Sequence, residues 1–368
     1  MNFHKTVLAV SLSVCTTAAV AADKVPTLGE VLKASGITVN GYVDVSHNNL
    51  STDVGSNTYR VFDTENRGFN LQMLDLSIGY LPASGFGAFA QLNAGSDARA
   101  IASAGTSNAD DFEVQEAYLQ YANGGLSVIA GKFATLAGAE VIESPSNVNF
   151  SRSILFGYAI PFTHTGVRAS YAVSDAVKFI AGLNNGWDVM RETQQTAATD
   201  GQRAMSKTVE LGVIATPVKM LSLAASYYTG KESAGTTTPA DRNVLDLVAT
   251  INATDALSFV LNYDKGEQEQ VAGANAKWDG IAGYVNYTLS DQYRLSLRTE
   301  SFKDKQGYRT GTTQKLKETT LTLGYMPAKN IELRAEYRKD KSDQNVFTED
   351  GQLKKNQDSL GLEAIYKF

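Results

Sequence analysis

Charged side chains recur at even spacing in two segments of the chain, and this spacing limits the chemistry open to them. The residues concerned are Arg294 and Arg298 in one segment and Glu332, Arg334, Glu336 and Arg338 in the other. On a β-strand, residues an even number apart share one face, so each segment presents a charged face. Such faces either sort solutes by charge across a water-filled space or form ladders of cross-strand ion pairs. The sequence leaves both interpretations open.

Residues suited to catalysis or metal binding are scarce. The chain has three histidines and one cysteine, and both His4 and Cys15 fall in an N-terminal segment that we expect to be removed. His164 stands between two threonines with no carboxylate close in sequence, which favours a hydrogen-bonded structural histidine over part of a nucleophile site. We therefore expect no catalytic residue, no metal site and no cofactor, and a protein that is not an enzyme.

The N-terminal segment, residues 1–22, has the pattern of a secretory signal peptide. A short basic start is followed by an apolar run from Val7 to Val14 and by small residues at 19–22, with cleavage after either Ala21 or Ala22. The residues before Cys15 resemble a lipoprotein cleavage box, but the bulky Val14 argues against lipidation. The pattern predicts an exported protein without disulfide bonds.

Residues 23–36 predict a short helix that tethers or covers the mouth of the following domain on its periplasmic side. Thr27 is a suitable N-cap, Glu30 three residues later completes a capping box, and Gly36 ends the helix. At about two turns, such a helix depends on contacts with the rest of the protein for its stability.

Composition excludes some classes of protein. The 39 acidic residues outnumber the 33 basic ones, giving a net charge of −6, which argues against a nucleic-acid partner. Beyond the signal peptide no apolar run approaches the ~18 residues of a membrane helix. Seventeen tyrosines and 15 phenylalanines against seven prolines favour strands over disorder.

From Ile37 onward, apolar and polar residues alternate in sixteen segments, which predicts sixteen strands. These segments are 37–47, 68–81, 85–95, 112–122, 125–133, 164–174, 176–187, 207–216, 220–229, 242–252, 256–264, 278–289, 292–302, 315–326, 330–340 and 357–368. Seven short joins contain turn residues, as in Asn123-Gly124, whereas the long joins are polar. An even number of strands with alternating short turns and long loops predicts an all-β protein in which residues 37–368 form a transmembrane antiparallel β-barrel. A soluble β-sandwich or propeller is the alternative.

Aromatic residues support the membrane interpretation. In the proposed topology the side chains of one aromatic set point outward at the same depth, next to short turns or the C-terminus, and so form a membrane girdle. This set comprises Tyr80, Tyr121, Tyr171, Tyr287, Tyr325, Tyr366 and Phe368.

The longest loop, residues 134–163, is more apolar than a solvated loop needs to be, which predicts that it folds inward and narrows the lumen. Its candidate constriction residues are Glu140, Glu143, Asn147, Asn149 and Arg152. The candidate pore-lining residues of the wall are Glu116, Arg168, Lys178, Arg294, Arg298, Arg334 and Arg338. Loop acids opposite wall bases would create a transverse field across the pore. Folding over the rim or onto a neighbouring subunit is the alternative for this loop.

Several motifs resemble one known family. The stretches Gly131–Glu140, Asn147–Ser153, Pro161–Arg168 and Gln115–Tyr121 are similar to the OmpL-like β-barrel porin family of Gram-negative outer membranes. The resemblance implies an outer-membrane channel. The terminal Phe368 likewise resembles the signal by which the barrel-assembly machinery recognises the C-terminal strand of such barrels.

We therefore expect a porin through which ions and small hydrophilic solutes diffuse passively. A channel specific for a sugar or a small anion is the first alternative, and a surface adhesin or receptor is the second. Expected partners are outer-membrane lipid and lipopolysaccharide. A homotrimer is expected only by analogy with other sixteen-strand porins.

Overall fold

The structure, a computed structural model, describes residues 26–103, 111–191, 207–232, 240–269 and 274–368. The predicted signal peptide over 1–22 lies outside these residues. In the described part the chain forms a closed barrel of sixteen antiparallel strands, which confirms the predicted architecture.

The barrel strands follow one another around the wall in chain order, and every neighbouring pair is antiparallel. They are β1 (Thr38–Leu50), β2 (Gly68–Tyr80), β3 (Gly85–Ala94), β4 (Phe112–Asn123), β5 (Leu126–Ala134), β6 (Thr163–Ser174), β7 (Val177–Asn184), β8 (Thr208–Val218), β9 (Leu221–Glu232), β10 (Ala240–Asn252), β11 (Leu257–Gln268), β12 (Ala276–Thr288), β13 (Tyr293–Asp304), β14 (Gln314–Ala328), β15 (Ile331–Ser342) and β18 (Asn356–Lys367). We call the end of the barrel with the short turns the turn end and the opposite end the loop end.

The alternation of each strand places its polar residues inside and its apolar residues outside. Along β14 every second side chain is buried, and the buried set includes Glu318 and Thr320. Leu321 and Leu323, of the opposite parity, are each more than 40% exposed on the outer face. An exposed apolar wall around a polar interior is the arrangement of a barrel surrounded by lipid.

The wall closes where β1 pairs with β18, as the sequence predicted for Val39–Val45. Val43 lies opposite Tyr366, and Val45 lies opposite Ala364. Two backbone hydrogen bonds between Gly41 and Phe368, of 3.0 and 2.9 Å, extend the ladder to the last residue. A Cβ atom at Gly41 would stand 2.6 Å from the Phe368 ring, so the closing strand requires a glycine there.

The N-terminal segment contains helix α1 (Leu28–Ser35). The Thr27 hydroxyl accepts from the Glu30 N–H, and the Glu30 carboxylate accepts from the Thr27 N–H at 2.7 Å, so the predicted capping box is confirmed. Gly36 ends the helix at φ 71°, beside the Tyr80 ring. None of the helices in the described ranges has the length and apolar character needed to cross a membrane.

The remaining elements lie in the loops at the loop end. Helix α2 (Ser96–Ala100) follows β3, a 3₁₀ turn (Ser144–Ser146) and helix α3 (Ile154–Tyr158) lie between β5 and β6, and the hairpin β16 (Phe347–Glu349) and β17 (Gln352–Lys354) precedes β18. The sequence did not predict these elements, because they are too short to show periodicity.

No predicted strand end differs from the observed one by more than four residues. The largest difference is in β11, which was predicted to end at 264 and continues to Gln268. Its outward residues beyond Tyr263 are Lys265 and Glu267, so the apolar pattern stops while the hydrogen-bonded ladder with β10 continues. The strands therefore extend beyond the apolar belt.

Candidate functional site

The loop between β5 and β6, residues 135–162, occupies the inside of the barrel, and we call it the inner loop. Residues 150–156 are all buried, although they belong to a connection between two strands. The Ser153 hydroxyl accepts from the Phe156 N–H at 3.0 Å and so caps α3. A loop this deep needs a partner for each polar backbone group, and the barrel wall supplies many of them.

Arg298 on β13 makes the most extensive contact with the inner loop. Its guanidinium donates to the Glu140 carboxylate at 2.7 Å, to the Ser151 carbonyl at 2.6 Å and to the Glu318 carboxylate on β14 at 3.1 Å. The Arg298 side chain is completely buried. A charge removed from water in this way is favourable only when its partners are complete, and here carboxylates on both sides pair with it.

Two arginines of β15 hold the loop in the same manner. Arg334 donates to the carbonyls of Asn147 at 2.8 Å and Ser144 at 3.1 Å, and it pairs with Glu363 on β18 at 2.9 Å. Arg338 donates to the Arg152 carbonyl at 2.7 Å. These arginines bind main-chain oxygens of the loop, so the contacts depend on the path of its backbone.

Wall glutamates bind the N–H groups of the same stretch. Glu336 on β15 accepts from the N–H groups of Phe150 and Ser151 at 2.8 and 3.0 Å. Glu300 on β13 accepts from those of Ile154 and Leu155 at 2.6 and 3.1 Å. Arginines therefore satisfy the loop carbonyls and glutamates its N–H groups, which explains why the two residue types alternate on one face.

The ends of the inner loop are fixed to other parts of the barrel. The Glu116 carboxylate accepts from the Ala134 N–H at 2.7 Å where the chain enters. Where it leaves, Asp188, which follows β7, accepts from the N–H groups of Phe162 and Thr163 at 2.7 and 2.9 Å. Burial raises the pKa of the Asp188 carboxyl to about 6, although these two hydrogen bonds act in the opposite direction.

Of the five candidate constriction residues, the structure buries Glu140, Asn147, Asn149 and Arg152. They maintain the shape of the loop or its attachment to the wall: Arg152, for example, donates to the carbonyls of Val141 and Ile142 at 3.0 and 2.8 Å. Glu143 alone of the five is half-buried, and it accepts from the side-chain amides of Gln91 and Gln115. The sequence therefore located the loop but not which of its side chains meet the lumen.

The predicted pore-lining residues of the wall also fall into two groups, one buried by the inner loop and one accessible. Arg298, Arg334 and Arg338 do not line open space, because the inner loop covers them, and the expected gap between loop acids and these wall bases is replaced by direct contact. Arg168, Glu116 and Arg294 are half-buried, and Lys178 near the turn end is exposed. Arg168 pairs with Glu210 on β8 at 2.7 Å, and Arg294 pairs with Glu332.

The first loop, residues 51–67, also enters the barrel, which the sequence analysis missed. Tyr59 and Phe62 are buried, and the Phe62 ring centroid lies 5.7 Å from that of Phe156. The buried Arg60 donates to Asp340 on β15 at 2.9 Å. A signal was present in Tyr59, Val61 and Phe62, which are apolar although they lie in a connection between two strands.

The seven residues of the predicted girdle lie on the outer surface near the turn end. All are exposed except Tyr325, which is half-buried, and its ring stacks on that of Tyr293 with centroids 4.8 Å apart. The ring centroids of Phe86 and Tyr121 are 5.0 Å apart. Tyr293 and Phe86 thus belong to the same belt of aromatic side chains.

The described residues contain no group of three or more His, Cys, Asp or Glu side chains placed to hold a metal ion. His164 is buried, and its ring stacks on that of Tyr228 with centroids 4.9 Å apart. Its Nδ1 lies 3.3 Å from the Gly186 carbonyl. These contacts are those of a packed structural histidine.

Comparison with known proteins gives one family and a set of similar folds. The model of the family described as "Putative beta-barrel porin-2, OmpL-like" matches residues 36–368. No curated protein matches the sequence.

Solved structures of outer-membrane proteins have the same fold at low sequence identity. The anion-selective porin of Comamonas acidovorans is 13% identical with a TM-score of 0.64, over 90% of this chain and 99% of that one. The outer-membrane channel DcaP of Acinetobacter baumannii is 13% identical with a TM-score of 0.61, over 90% and 97% of the two chains. The trimer form of OmpT, an outer-membrane protein of Vibrio cholerae, is 16% identical with a TM-score of 0.61, over 90% and 99%.

Proposed function

The chain belongs to the OmpL-like β-barrel porin family and is an outer-membrane porin, and from this premise we propose where solutes pass through it. The passage runs between the inner loop and strands β4–β7, and small hydrophilic solutes diffuse through it without an energy source. The inner loop is a fixed constriction on this path.

One observation carries this proposal: the inner loop buries the inward side chains on some strands completely and leaves those on other strands partly exposed. On β13 and β15 the side chains of Arg298 and Arg338 are completely buried beneath the loop, which leaves no room for a solute. On β4 and β6 the inward residues Glu116, Tyr118, Gln120 and Arg168 keep part of their surface exposed. A water-filled path requires accessible polar side chains, and this side of the barrel has them.

The charges along the proposed path are mixed in sign. Glu116 and Glu143 are half-buried acids, Arg168 is a half-buried base, and Lys178 is exposed near the turn end. Because both signs are present at similar exposure, we propose weak charge selectivity and dependence on solute size. Channels specific for one anion concentrate a single sign of charge along the path.

Liposome swelling with sugars of increasing size tests this proposal. We expect swelling rates to fall steeply with sugar mass, and we expect Gln120→Trp, which adds bulk on the proposed path, to lower the size limit. The matched variant Thr322→Trp would place the same bulk beneath the loop, where Thr322 bonds Asn149, and should affect folding and not the size limit. Size-independent swelling, or none, would contradict a diffusion channel.

We further propose that the barrel has no catalytic activity and that it assembles as a homotrimer. The trimer proposal is supported by the trimer form named for the similar V. cholerae protein and by the small outward residues Ala88 and Ala90 on β3. Native mass spectrometry in detergent tests it, with a monomer as the contrary result.

Three further roles are proposed from position in the fold. The girdle residues contact outer-membrane lipid and lipopolysaccharide, the barrel-assembly machinery recognises β18 with Phe368, and α1 lies on the periplasmic side. Deletion of Phe368 should lower the amount of folded barrel in the outer membrane, which heat-modifiability on gels measures.

A further inference from the structure

Lysines gather on the outer surface of strands β13–β15, near the loop end. Along β14 the exposed outward residues change from Leu321 to Thr319 and then to Lys317 and Lys315. The basic residues therefore begin where the apolar belt ends. We call four exposed lysines of this region the lysine patch: Lys303, Lys315, Lys317 and Lys341.

The register of the strands places the lysines of the patch directly opposite one another. Lys303 on β13 is opposite Lys315 on β14, and Lys317 on β14 is opposite Lys341 on β15. The Cβ atoms of opposite residues in an antiparallel pair are about 5 Å apart, and like charges there destabilise the sheet. An anion bound to the patch would remove this repulsion.

Three other lysines near the loop end each pair with an acid: the pairs are Lys277–Glu267 at 3.2 Å, Lys339–Asp358 at 3.5 Å and Lys305–Asp279. Asp343, beside the patch, accepts from the Lys315 backbone N–H at 2.9 Å. The ammonium groups of the patch, in contrast, form no ion pair with any described residue. Their charges therefore remain available to an anion from outside the protein.

An apolar groove lies on the outer face of strands β10–β13, on the membrane side of the patch. Its volume is about 370 Å³. The residues that line it include Leu261, Gly283, Val285, Leu297 and Thr299. Gly283 leaves the groove open, since no heavy atom lies within 4 Å of the position that its Cβ atom would take.

The groove and the patch adjoin each other. Thr299, which lines the groove, is opposite Thr319, and Lys317 is two residues away from Thr319 along β14. Two residues of a strand span about 7 Å, so a lipid with a phosphate on Lys317 can reach the groove with an acyl chain. The two features together fit an amphiphile with an anionic headgroup.

We propose that the lysine patch and the groove bind the lipid A anchor of lipopolysaccharide, with its sugar phosphates on the lysines and an acyl chain in the groove. The long loops of outer-membrane barrels face the cell exterior, so the patch lies at the headgroup level of the outer leaflet, which contains this phosphorylated glycolipid. Lysine binds phosphate as a point charge, and clustered lysines bind anionic lipids. The proposal gives the lipopolysaccharide contact proposed above a defined site, and it rests on the outer-membrane location of the porin and not on the solute path.

Native mass spectrometry of the refolded full-length barrel in detergent, with diphosphoryl lipid A added, tests the proposal. We expect one lipid A per barrel to stay bound to the wild type, and the double variant Lys317→Gln, Lys341→Gln to bind it at least ~10-fold more weakly. The matched control Lys277→Gln, Lys354→Gln removes two positive charges from exposed residues that pair with acids, and it should bind like the wild type. A wild type that retains no lipid A, or equal weakening in both double variants, would overturn the proposal.

Gly283→Phe tests the groove separately, because its ring fills the space that an acyl chain would occupy. It should weaken lipid A binding severalfold, whereas Ala130→Phe, which adds the same ring at an exposed outward position on β5, should not. Inorganic pyrophosphate at the same concentration carries phosphates without acyl chains and should not displace lipid A. Displacement would assign the patch to free anions and contradict the lipid assignment. All these variants should swell liposomes like the wild type, so a failure of lipid binding is distinguishable from a failure of the proposed channel.

Discussion

Arg298 on the barrel wall and Glu140 on the inner loop form an ion pair of 2.7 Å whose two side chains are almost entirely excluded from water. Glu318 pairs with the same guanidinium from the opposite side at 3.1 Å. Glu140 and Arg298 were expected to face each other across open water. Instead, their direct ion pair attaches the inner loop to the wall.

Removing this ion pair should loosen the attachment of the inner loop to the wall. Arg298→Ala leaves Glu140 and Glu318 buried without their partner, and such a loss costs about 3–5 kcal/mol. We expect a higher and noisier single-channel conductance in planar bilayers, because the loop leaves the wall part of the time. The control Arg99→Ala breaks an exposed pair with Asp111 and should leave conductance unchanged. An unaltered conductance in Arg298→Ala would show that other contacts hold the loop by themselves.

Glu143 should influence ion selectivity, since it is the half-buried acid of the inner loop. Glu143→Gln keeps an acceptor for Gln91 and Gln115 but removes a negative charge from the proposed path. We expect the chloride-to-potassium permeability ratio, obtained from reversal potentials in a salt gradient, to rise about twofold. Glu349→Gln in the β16–β17 hairpin is the matched control and should leave the ratio unchanged. A shift of equal size in both variants would remove Glu143 from the path.

Barrel closure should depend on the absence of a side chain at Gly41. A Cβ atom there would meet the Asp75 carbonyl and the Phe368 ring, both at 2.6 Å. We expect Gly41→Val to destabilise the β1–β18 seam by about 1–3 kcal/mol and to lower the refolded fraction seen by heat-modifiability. Gly283→Val on β12 is the control, because no heavy atom lies within 4 Å of its Cβ position and valine favours strands. If both variants refold equally well, the close approach at Gly41 has no energetic consequence.

Asp188 should give the exit of the inner loop a pH dependence. Its pKa in the folded protein, about 6, is above the ordinary value of 3.8, so the folded state binds the proton more tightly than the unfolded state. The free energy of unfolding should therefore fall as pH rises from about 4 to about 6. Asp188→Asn keeps an oxygen for the Phe162 and Thr163 N–H groups and should remove this part of the dependence. Urea unfolding at several pH values compares the two proteins, and identical pH profiles would contradict the assignment.

The strands were predictable because the pattern that indicates each strand lies within the strand itself and in the turns next to it. Leu321 and Leu323 alternate with Thr320 and Thr322 within a few residues, and turns such as Asn123-Gly124 mark the ends of strands. Such patterns are local, so no knowledge of distant residues is needed to find them.

The details of the site were not predictable, because its partners are distant in sequence and often belong to the backbone. The spacing of Arg334 and Arg338 correctly predicts one inward face, but nothing in it indicates that they bind carbonyls of residues 144–152. For the same reason the sequence did not show that Asn147 and Arg152, two of the candidate constriction residues, bond within their own loop.

The attachment of the inner loop through its backbone has a consequence for how this channel can change. Wall arginines and glutamates bind carbonyl and N–H groups between Ser144 and Leu155, while the side chains of Val141, Ser146 and Val148 keep exposed surface. Substitutions at these three positions alter the exposed surface of the inner loop without removing an anchor. The chemistry of the loop's exposed surface is therefore independent of the contacts that hold the loop in place, so sequence variation at these positions is compatible with one and the same scaffold.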